Sequence, residues 1–493
     1  MKPTNTVVIC CDQHNPHVTG CYGNHVARTP NIDALARRGT LFENAYTACP
    51  ICVPARAALA TGNYASAGGY WDNAHPFDGN APSWGERLHD AGVSVTTIGK
   101  LHFKDASEHT FPGQRIPLNA AGGVGDLMTA VRLPGGTTDK LRQQVEAAGA
   151  GDSDYLHYDR NVARLSADFL ANEAAPMTAA GKPWCLYVGF TTPHYPLKVP
   201  EELLDLYRPF DQFELAPEWH RPEMLHPAVQ AFKHTTQLEA SRITDDEARR
   251  AIASYHALVT FTDSQVGVVL DALRTAGLEG STRVIYLDDH GDSAGEHGLF
   301  FKSTMFEGSV RIPLVVAGPD VPRGRRVSQP VSIVDVYPTL LDFHGLTPST
   351  RERSLPGVSL ADSWSGMADP NRPIYSEYHS SGFTDSVFML RQGPFKLVRY
   401  EGYDMPSLYD LEKDPDENHD LAADPKQAEL IGVLDALLQR ETGSSTAELN
   451  RRSHEAQERL FAEHGGIEAV VARGLTPFSA VPKGYGMDDG LSA

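Results

Sequence analysis

The sequence predicts an α/β fold, a mixed sheet flanked by helices, with a smaller C-terminal α+β domain. Short apolar runs that end in polar residues indicate buried strands. They are Thr6–Cys11, Trp184–Phe190 and Thr282–Leu287. Segments with apolar residues at helical spacing alternate with them, the longest from about Thr244 to Ala276. After about Pro370, short strands separated by turn residues are typical of an antiparallel sheet.

Length and charge limit the classes of function. The chain has 493 residues, enough for two or three domains, and a formal net charge of -20. A groove for DNA or a long sulfated polysaccharide would need a local reversal of this charge, which the sequence does not contain, so we expect no nucleic-acid partner. The first apolar run is too short to span a bilayer, and we expect no membrane association and a cytoplasmic location.

Two changes in the character of the sequence divide the chain. Residues 1–368 form the predicted main domain, residues 369–441 an antiparallel-sheet subdomain, and residues 442–493 a C-terminal helical arm. A charged helix and a Gly/Pro-containing segment in the arm suit an oligomer contact, so we expect a homo-oligomer. Residues from about Asp105 to Asp152 give few signals of regular structure and predict long loops over a site.

Polar residues end the first predicted strand. Asp12 and Gln13 stand at its carboxyl end, which is where open α/β sheets place their ligands. A helix cap is the ordinary role of such an aspartate, but residues 14–17 do not begin a periodic helix. We therefore treat both residues as candidates for a site.

A C-x-P-x-R motif organises the chain. Cys52, Pro54 and Arg56 form it, and L-x-T-G follows at a fixed distance. Pro54 fits the first turn of a helix, whose amino end favours negative charge, and Arg56 would lie one turn beyond Cys52. Cys49 and Cys52 also form C-x-x-C, so a redox dithiol, half of a zinc site and an inert buried cysteine are alternatives. No second C-x-x-C exists, and the six cysteines form no regular disulfide framework.

Five further polar residues stand at strand ends or turns. They are Asn73, Lys100, His102, His194 and Lys302. Side chains alternate along an extended segment, so we expect Lys100 and His102 to point the same way. Ordinary alternatives are a turn residue for Asn73 and a solvated surface side chain for Lys302.

These elements, in this order, resemble the formylglycine-dependent sulfatases of the alkaline phosphatase superfamily. The matching elements are the cysteine motif, Gly99-Lys100-Leu101-His102, Asp289-His290-Gly291, and the segment from His297 to Lys302. The resemblance covers the chain from Val7 to about Ala423 and is nearest to choline sulfatases and phosphonate monoester hydrolases. It implies an alkaline-phosphatase-like mixed sheet and a catalytic domain over residues 1–368.

The resemblance implies that a formylglycine-generating maturation enzyme oxidises Cys52 to an aldehyde. One hydroxyl of the hydrated aldehyde is then a metal-activated nucleophile, and the other later collapses the covalent ester. The implied ligands of one divalent ion are Asp12, Asp289, His290 and a formylglycine oxygen at Cys52. This chain has Cys11 where sulfatases often have a first aspartate, and His290 where many arylsulfatases have asparagine, so both calcium and manganese fit.

The resemblance also implies roles for the remaining candidates. The catalytic candidates are Cys52, Arg56, Lys100, His102, His194 and Lys302, and the substrate-binding candidates are Gln13, Asn73 and Lys302. His194 and Lys302 would meet the departing oxygen, and His102 would be the base that expels sulfate. We expect hydrolysis of a small-molecule sulfate ester. A phosphonate monoester or phosphodiester hydrolase with the same site is one alternative, and an unmodified binding scaffold is another.

Overall fold

The computed structural model describes residues 4–107, 111–133, 137–367, 369, 371–474 and 479–487. The strands described, in chain order, are β1 Asn5–Asp12, β2 Gly39–Tyr46, β3 Ser94–Lys100, β4 Gln114–Leu118, β5 Gly149–Ala150, β6 Trp184–Pro193, β7 Lys198–Val199, β8 Thr282–Asp288, β9 Arg311–Ala317, β10 Arg325–Val327, β11 Val331–Ser332, β12 Ile374–Tyr378, β13 Val387–Gln392, β14 Phe395–Tyr400 and β15 Ser407–Asp410.

The α-helices described are α1 Pro30–Arg38, α2 Cys52–Thr61, α3 Ala65–Gly68, α4 Trp84–Asp90, α5 Lys140–Glu146, α6 Asp154–Phe169, α7 Ala175–Ala179, α8 Glu201–Leu204, α9 Pro227–Thr235, α10 Asp245–Thr275, α11 Glu307–Val310, α12 Val336–Phe343, α13 Asp362–Ser365, α14 Ala428–Thr442, α15 Thr446–Glu463 and α16 Ile467–Arg473. A π-helical turn, Leu170–Ala174, extends α6.

The central sheet is mixed, as the sequence predicts. Its strand order is β10-β2-β9-β8-β1-β6-β3-β4, with β11 beside β2. β1 lies between β8 and β6 and runs parallel to both, whereas β9 is antiparallel to β2 and β8. Every residue of β1 is buried, which explains its continuous apolar run. The carboxyl ends of β1, β6 and β8 therefore meet at one edge of the sheet.

The long helix predicted from about Thr244 to Ala276 is confirmed, because α10 spans Asp245–Thr275. Thr244 caps it, because its Oγ1 accepts from Glu247 N at 3.3 Å while Glu247 Oε2 accepts from Thr244 N at 2.8 Å. The helix packs against β6 and α6. Among the described residues, no helix is both long and apolar enough to cross a bilayer.

The smaller C-terminal sheet is antiparallel, also as predicted. β12, β13, β14 and β15 pair in sequential order. A buried ion cluster attaches it to the main domain, since Lys396 of β14 lies 2.9 Å from Glu307 of α11 and 2.7 Å from Glu417.

Two regions have secondary structure or contacts that the sequence does not predict. The predicted long loops from Asp105 to Asp152 contain β4, α5 and β5 within their described part. The C-terminal arm packs on its own chain, because Gln457 of α15 donates to Asp72 Oδ2 at 2.7 Å. Residues 475–478 and 488–493 of the arm, and residue 368 at the first boundary, lie outside the described residues, and the boundaries remain predictions.

Candidate active site

The cysteine motif forms the start of α2. Cys52 is the first helical residue and follows Ile51, which is extended. Asn73 Oδ1 accepts a hydrogen bond from Val53 N at 3.0 Å and so caps one of the free amide groups of the first turn. Cys52 thus lies at the amino end of a helix and is fully buried. The contact of Asn73 with a substrate anion remains a prediction.

The glycine of L-x-T-G ends this helix. Gly62 has a φ of 67°, in the left-handed region that glycine adopts without steric cost. A Cβ atom at this position would lie 2.8 Å from the side chain of Tyr337. The motif therefore includes a structural glycine that lets α2 approach α12.

Four fully buried side chains converge at the carboxyl edge of the sheet. They are Asp12, Cys52, Asp289 and His290, and one donor atom of each lies within 4.8 Å of the others. Because β1 and β8 are parallel neighbours, residues that end or follow these strands meet at this edge. The structure thus brings the four predicted metal ligands together.

His290 presents the lone pair of Nε2 to this cluster. Its Nδ1 lies 3.0 Å from Gly291 O, and a carbonyl only accepts, so Nδ1 carries the hydrogen. Nε2 lies 3.2 Å from Cys52 Sγ, 3.6 Å from Asp289 Oδ1 and 3.7 Å from Asp12 Oδ1. Burial lowers the pKa of His290 to about 4, so the ring is neutral at pH 7 and suited to bind a metal.

Two lysines bring positive charge to the cluster. Lys302 Nζ donates to Cys52 Sγ at 2.9 Å and lies 4.0 Å from Asp12 Oδ1. Lys100 Nζ pairs with Asp12 Oδ2. Burial would raise the pKa of Asp12, but its cationic neighbours, led by Lys100, hold that pKa well below its ordinary value. Asp12 is therefore a carboxylate.

Arg56 contacts the cluster through Asp289. Its Nε donates to Asp289 Oδ2 at 2.7 Å, and its terminal nitrogens donate to Lys100 O and Cys11 O at 2.9 Å each. The guanidinium holds Asp289 in one orientation and satisfies two carbonyls at strand ends. Within the described part of the chain its hydrogen bonds do not reach Cys52 Sγ, so its contact with a formylglycine diol remains a prediction.

Gln13 contacts carboxylates of the site. Its backbone N donates to Asp289 Oδ1 at 3.2 Å, and its Nε2 donates to Asp292 Oδ2 at 2.6 Å. The backbone of Gln13 has a φ of 74°. Its Oε1 is buried and has no hydrogen-bond partner among the described residues. Asp292 has no place in the sequence prediction, and the substrate-binding role of Gln13 remains untested.

The alternation argument for Lys100 and His102 is wrong. β3 ends at Lys100, and His102 has a φ of 63°, so the two residues do not belong to one extended segment. Both side chains are nevertheless buried near Asp12, whose charge acts on each. His102 Nε2 lies 2.6 Å from Ser479 Oγ, a contact that no local pattern in the sequence indicates.

His194 and Asp288 are held by backbone groups. His194 Nδ1 lies 2.6 Å from Tyr195 O, so Nδ1 is the donor and any change of protonation takes place at Nε2. Burial and the charge of Lys302 keep the pKa of His194 well below its ordinary value. Asp288 Oδ1 accepts from His14 N at 3.0 Å and Asp289 N at 3.2 Å and so caps the loop that follows β8.

A cavity of about 560 Å³ adjoins the cluster. Asn73 and Lys302 line it on the side of the cluster, and Val471 and Gly474 of the C-terminal arm line it as well. The rest of the lining includes the charged residues Asp126, Arg132 and Lys140 and five aromatic side chains, namely Tyr195, Phe232, Phe301, Tyr378 and Phe383. The cavity is the space in which a molecule bound at the cluster would lie.

Comparisons with known proteins agree with this geometry. The family description "Sulfatase" matches residues 4–346, and "N-sulphoglucosamine sulphohydrolase, C-terminal" matches residues 295–443. Choline-sulfatase from Rhizobium meliloti (strain 1021) is 32% identical over 438 residues, which cover 86% of this chain and 83% of that protein.

Two solved structures share the fold. BT4656, in complex with its substrate D-glucosamine-2-N,6-O-disulfate, has a TM-score of 0.72 and 21% identity, and the match covers 90% of this chain and 98% of that one. The phosphonate monoester hydrolase of Agrobacterium radiobacter has a TM-score of 0.69 and 24% identity, over 89% of this chain and 95% of that one.

Proposed function

The chain belongs to the sulfatase family of sulfuric ester hydrolases, and from this we propose that it cleaves sulfate monoesters of small molecules with one divalent metal ion and a formylglycine formed from Cys52. The buried cluster of Asp12, Cys52, Asp289 and His290 carries the proposal. Cys52 is a thiol in this structure, so its Sγ stands for the side-chain oxygens of the modified residue.

The donor set fits a divalent ion that prefers oxygen and accepts imidazole. Asp12, Asp289, His290 and an oxygen of the modified Cys52 would hold Ca²⁺ or Mn²⁺. Gln13 Oε1, buried without a hydrogen-bond partner among the described residues, adds an oxygen of the kind such ions bind. When bound, the ion would polarise the nucleophile and the ester.

The cations of the site have separate tasks. Lys302, at 2.9 Å from Cys52 Sγ, stabilises the charge that develops on the sulfate oxygens. Lys100 pairs with Asp12 and binds the same anion. Arg56 is a positioning residue, since it holds Asp289 at 2.7 Å.

Two histidines move protons. His194 commits Nδ1–H to Tyr195 O, so a proton for the departing oxygen must be carried at Nε2, in an imidazolium that the negative charge of the bound ester favours. His102 is the base that takes a proton when sulfate is expelled. Water is not the direct nucleophile on sulfur.

The size of the cavity supports a small-molecule substrate. Its volume of about 560 Å³ lies within the roughly 300–1,000 Å³ typical of small-ligand pockets. The names of the relatives point the same way, because one is a choline-sulfatase and another has a disulfated glucosamine as its substrate. We assign this chain to sulfate esters of comparable size.

A comparison of two esters tests the proposal. We would measure kcat/KM for an aryl sulfate and for the matched aryl phosphonate monoester, with protein coexpressed with its maturation enzyme. A preference for the sulfate by orders of magnitude is expected. A preference for the phosphonate would make phosphonate monoester or phosphodiester hydrolysis the function, a candidate that His290 and the single first-strand aspartate favour.

The modification and the metal need their own tests. Peptide mass spectrometry should find an aldehyde at Cys52 in active protein, and a thiol in fully active protein would contradict the mechanism. Removing metal with a chelator should abolish turnover, and Ca²⁺ or Mn²⁺ should restore it. Full activity in the chelated protein would overturn the assignment of the cluster.

Three further expectations belong to this proposal. They are dependence on a formylglycine-generating maturation enzyme, a cytoplasmic location and a homo-oligomeric state. Fractionation of the native host and light scattering of the purified protein would test location and assembly.

A further inference from the structure

A buried carboxylate, that of Asp292, holds the loop that carries Lys302. The loop comprises residues 292–303 and follows β8. Asp292 Oδ1 accepts from the backbone N of Ala294 at 2.7 Å and from that of Phe301 at 2.9 Å. Phe301 directly precedes Lys302 in the chain. One carboxylate oxygen therefore joins the start of the loop to the residue before the lysine.

Further contacts fix Asp292 itself, which is 2% exposed. Gln13 Nε2 donates to Asp292 Oδ2 at 2.6 Å, and Asn15 Nδ2 donates to Asp292 O at 2.7 Å. Gln13 and Asn15 follow β1, the strand that ends in Asp12. Asp292 thus attaches the loop to the edge of the sheet where the predicted metal ligands lie.

The backbone on both sides of Lys302 has an uncommon conformation. Phe301 has a φ of 67° and Ser303 a φ of 85°, in the left-handed region that residues other than glycine rarely adopt. Such a backbone persists only where surrounding contacts impose it. The contacts here are those of Phe301 N with Asp292 Oδ1 at 2.9 Å and of Ser303 N with Pro50 O at 3.1 Å.

We propose that Asp292 is a positioning residue that places Lys302 Nζ at the reacting group, and this rests on the proposed function. Lys302 Nζ lies 2.9 Å from Cys52 Sγ, the atom that stands for the nucleophile. Among the described residues, the carboxylate within 4.0 Å of this ammonium is that of Asp12. Asp292 therefore acts on Lys302 through the backbone and not through an ion pair. An ammonium on a flexible side chain stabilises developing charge best when the backbone that carries it is fixed.

A double-mutant cycle provides the first test. Asp292→Ala removes the acceptor of both amides, so we expect kcat/KM for the aryl sulfate to fall about 10- to 100-fold. In a Lys302→Met background there is no charge to position, and the same change should lower kcat/KM less than about threefold. Ser293→Ala is the matched control and should behave as wild type. It removes a neighbouring buried hydroxyl that has no hydrogen-bond partner among the described residues.

Crystal structures of the unmodified, metal-free thiol protein provide a test without turnover. In wild type, Lys302 Nζ should lie within hydrogen-bond distance of Cys52 Sγ, and in Asp292→Ala the loop and its lysine should be displaced. Asp292→Asn removes the charge but keeps an oxygen that accepts from both amides, so the loop should retain its wild-type conformation.

Equal losses from Asp292→Ala in the two backgrounds would show that Asp292 acts through Gln13 or through the fold as a whole, and would overturn the proposal. An undisplaced Lys302 in Asp292→Ala, or an equal displacement in Asp292→Asn, would also overturn it. Failure of the proposed function has a different signature, since wild type would then turn over neither aryl ester while the displacement in the crystals would stand.

Discussion

At the scale of single residues, three histidines each commit one ring nitrogen to a neighbouring oxygen. His194 and His290 donate Nδ1–H to the carbonyls of Tyr195 and Gly291, and His102 meets Ser479 through Nε2. A change of protonation at His194 or metal binding at His290 would therefore involve Nε2. A neutral ring whose tautomer is defined by a carbonyl, as at His290, is the form that a metal ligand requires.

Substitutions at Cys52 and Cys49 distinguish a catalytic role of Cys52 from the alternative in which the two cysteines form a redox dithiol. Cys52→Ala should reduce turnover by a factor on the order of 10⁴ or more, because the nucleophile is lost. Cys49 lies in an apolar cluster with Tyr46 and Ile51, and burial raises the pKa of its thiol well above the ordinary value. Cys49→Ala is the control and should keep kcat within about threefold. Loss of activity in both variants would favour a dithiol.

Lys302 provides a test of charge at the reacting group. Lys302→Met should lower kcat/KM by about 10²- to 10³-fold, because a positioned charge at the sulfate oxygens is removed. The measurement is steady-state kinetics with the aryl sulfate, with circular dichroism to check folding. The exposed Lys426 is the matched control, and Lys426→Met should behave as wild type. A Lys302→Met variant with wild-type kcat/KM would exclude this role.

At the scale of elements, the site depends on where strands end and where α2 begins. β1 and β8 deliver Asp12 and Asp289 side by side because the strands are parallel neighbours. The amino end of α2 brings Cys52 to the same edge. A second set of contacts attaches β14 to α11 through Lys396 and Glu307. The C-terminal sheet therefore depends on a buried ion cluster as well as on apolar packing.

Lys396 should matter far more for stability than an exposed lysine of the same sheet region. It is fully buried between Glu307 and Glu417, and against the effect of burial it holds the pKa of Glu307 at about 2. Lys396→Met removes the cation that lies between two buried carboxylates and leaves Glu307 with only its more distant arginines, such as Arg311 at 3.9 Å, at a cost of about 3–5 kcal/mol. Lys413, with 83% of its side chain exposed beside Asp410, is the control.

Urea unfolding measures the difference between these variants. Lys413→Met should cost less than about 1 kcal/mol, since exposed ion pairs contribute little. Similar midpoints for Lys396→Met and Lys413→Met would show that the cluster is not essential for the attachment of the sheet.

At the scale of the whole molecule, segments that are far apart in the sequence contact residues of the candidate site. Gln457 of α15 donates to Asp72, next to Asn73, and Ser479 reaches His102. Val471 and Gly474 line the cavity. The arm beyond residue 442, which we expected to serve as an oligomer contact, contributes to the site of its own chain, and its part in assembly remains a prediction.

Buried neutral histidines make the stability of the whole fold sensitive to acid. His256 of α10 is 6% exposed and donates Nδ1–H to Ile252 O at 3.0 Å, and burial lowers its pKa to about 4. Between that pH and the ordinary value near 6.5 the unfolded state binds more protons, so stability falls as pH falls. At pH 5 the loss from His256 is about 2 kcal/mol.

His256→Gln tests this contribution. The difference between urea midpoints at pH 8 and pH 5 should be smaller in the variant than in wild type, because its side chain does not titrate. At pH 8 the imidazole is neutral in both states, so the pH 8 midpoints isolate any packing effect of the substitution. If the urea midpoint changes by the same amount between pH 8 and pH 5 in wild type and in His256→Gln, then His256 does not cause the sensitivity to acid.

The sequence alone determined the local parts of this protein. Strand-end and helix-start patterns predicted the positions of Asp12, Cys52, Asp289 and His290, and the helical spacing predicted α10. The resemblance to sulfatases added the roles of these residues. Such features are readable because burial periodicity, caps and motif spacing act over a few residues of chain.

Only the tertiary structure decided which distant residues complete the site. Ser479 and His102 are 377 residues apart, and Gln457 and Asp72 are 385 apart. The left-handed backbone of His102 likewise depends on what packs around it. No local pattern records such contacts, because they arise only when the whole chain has buried its apolar surface and each buried polar group must find a partner.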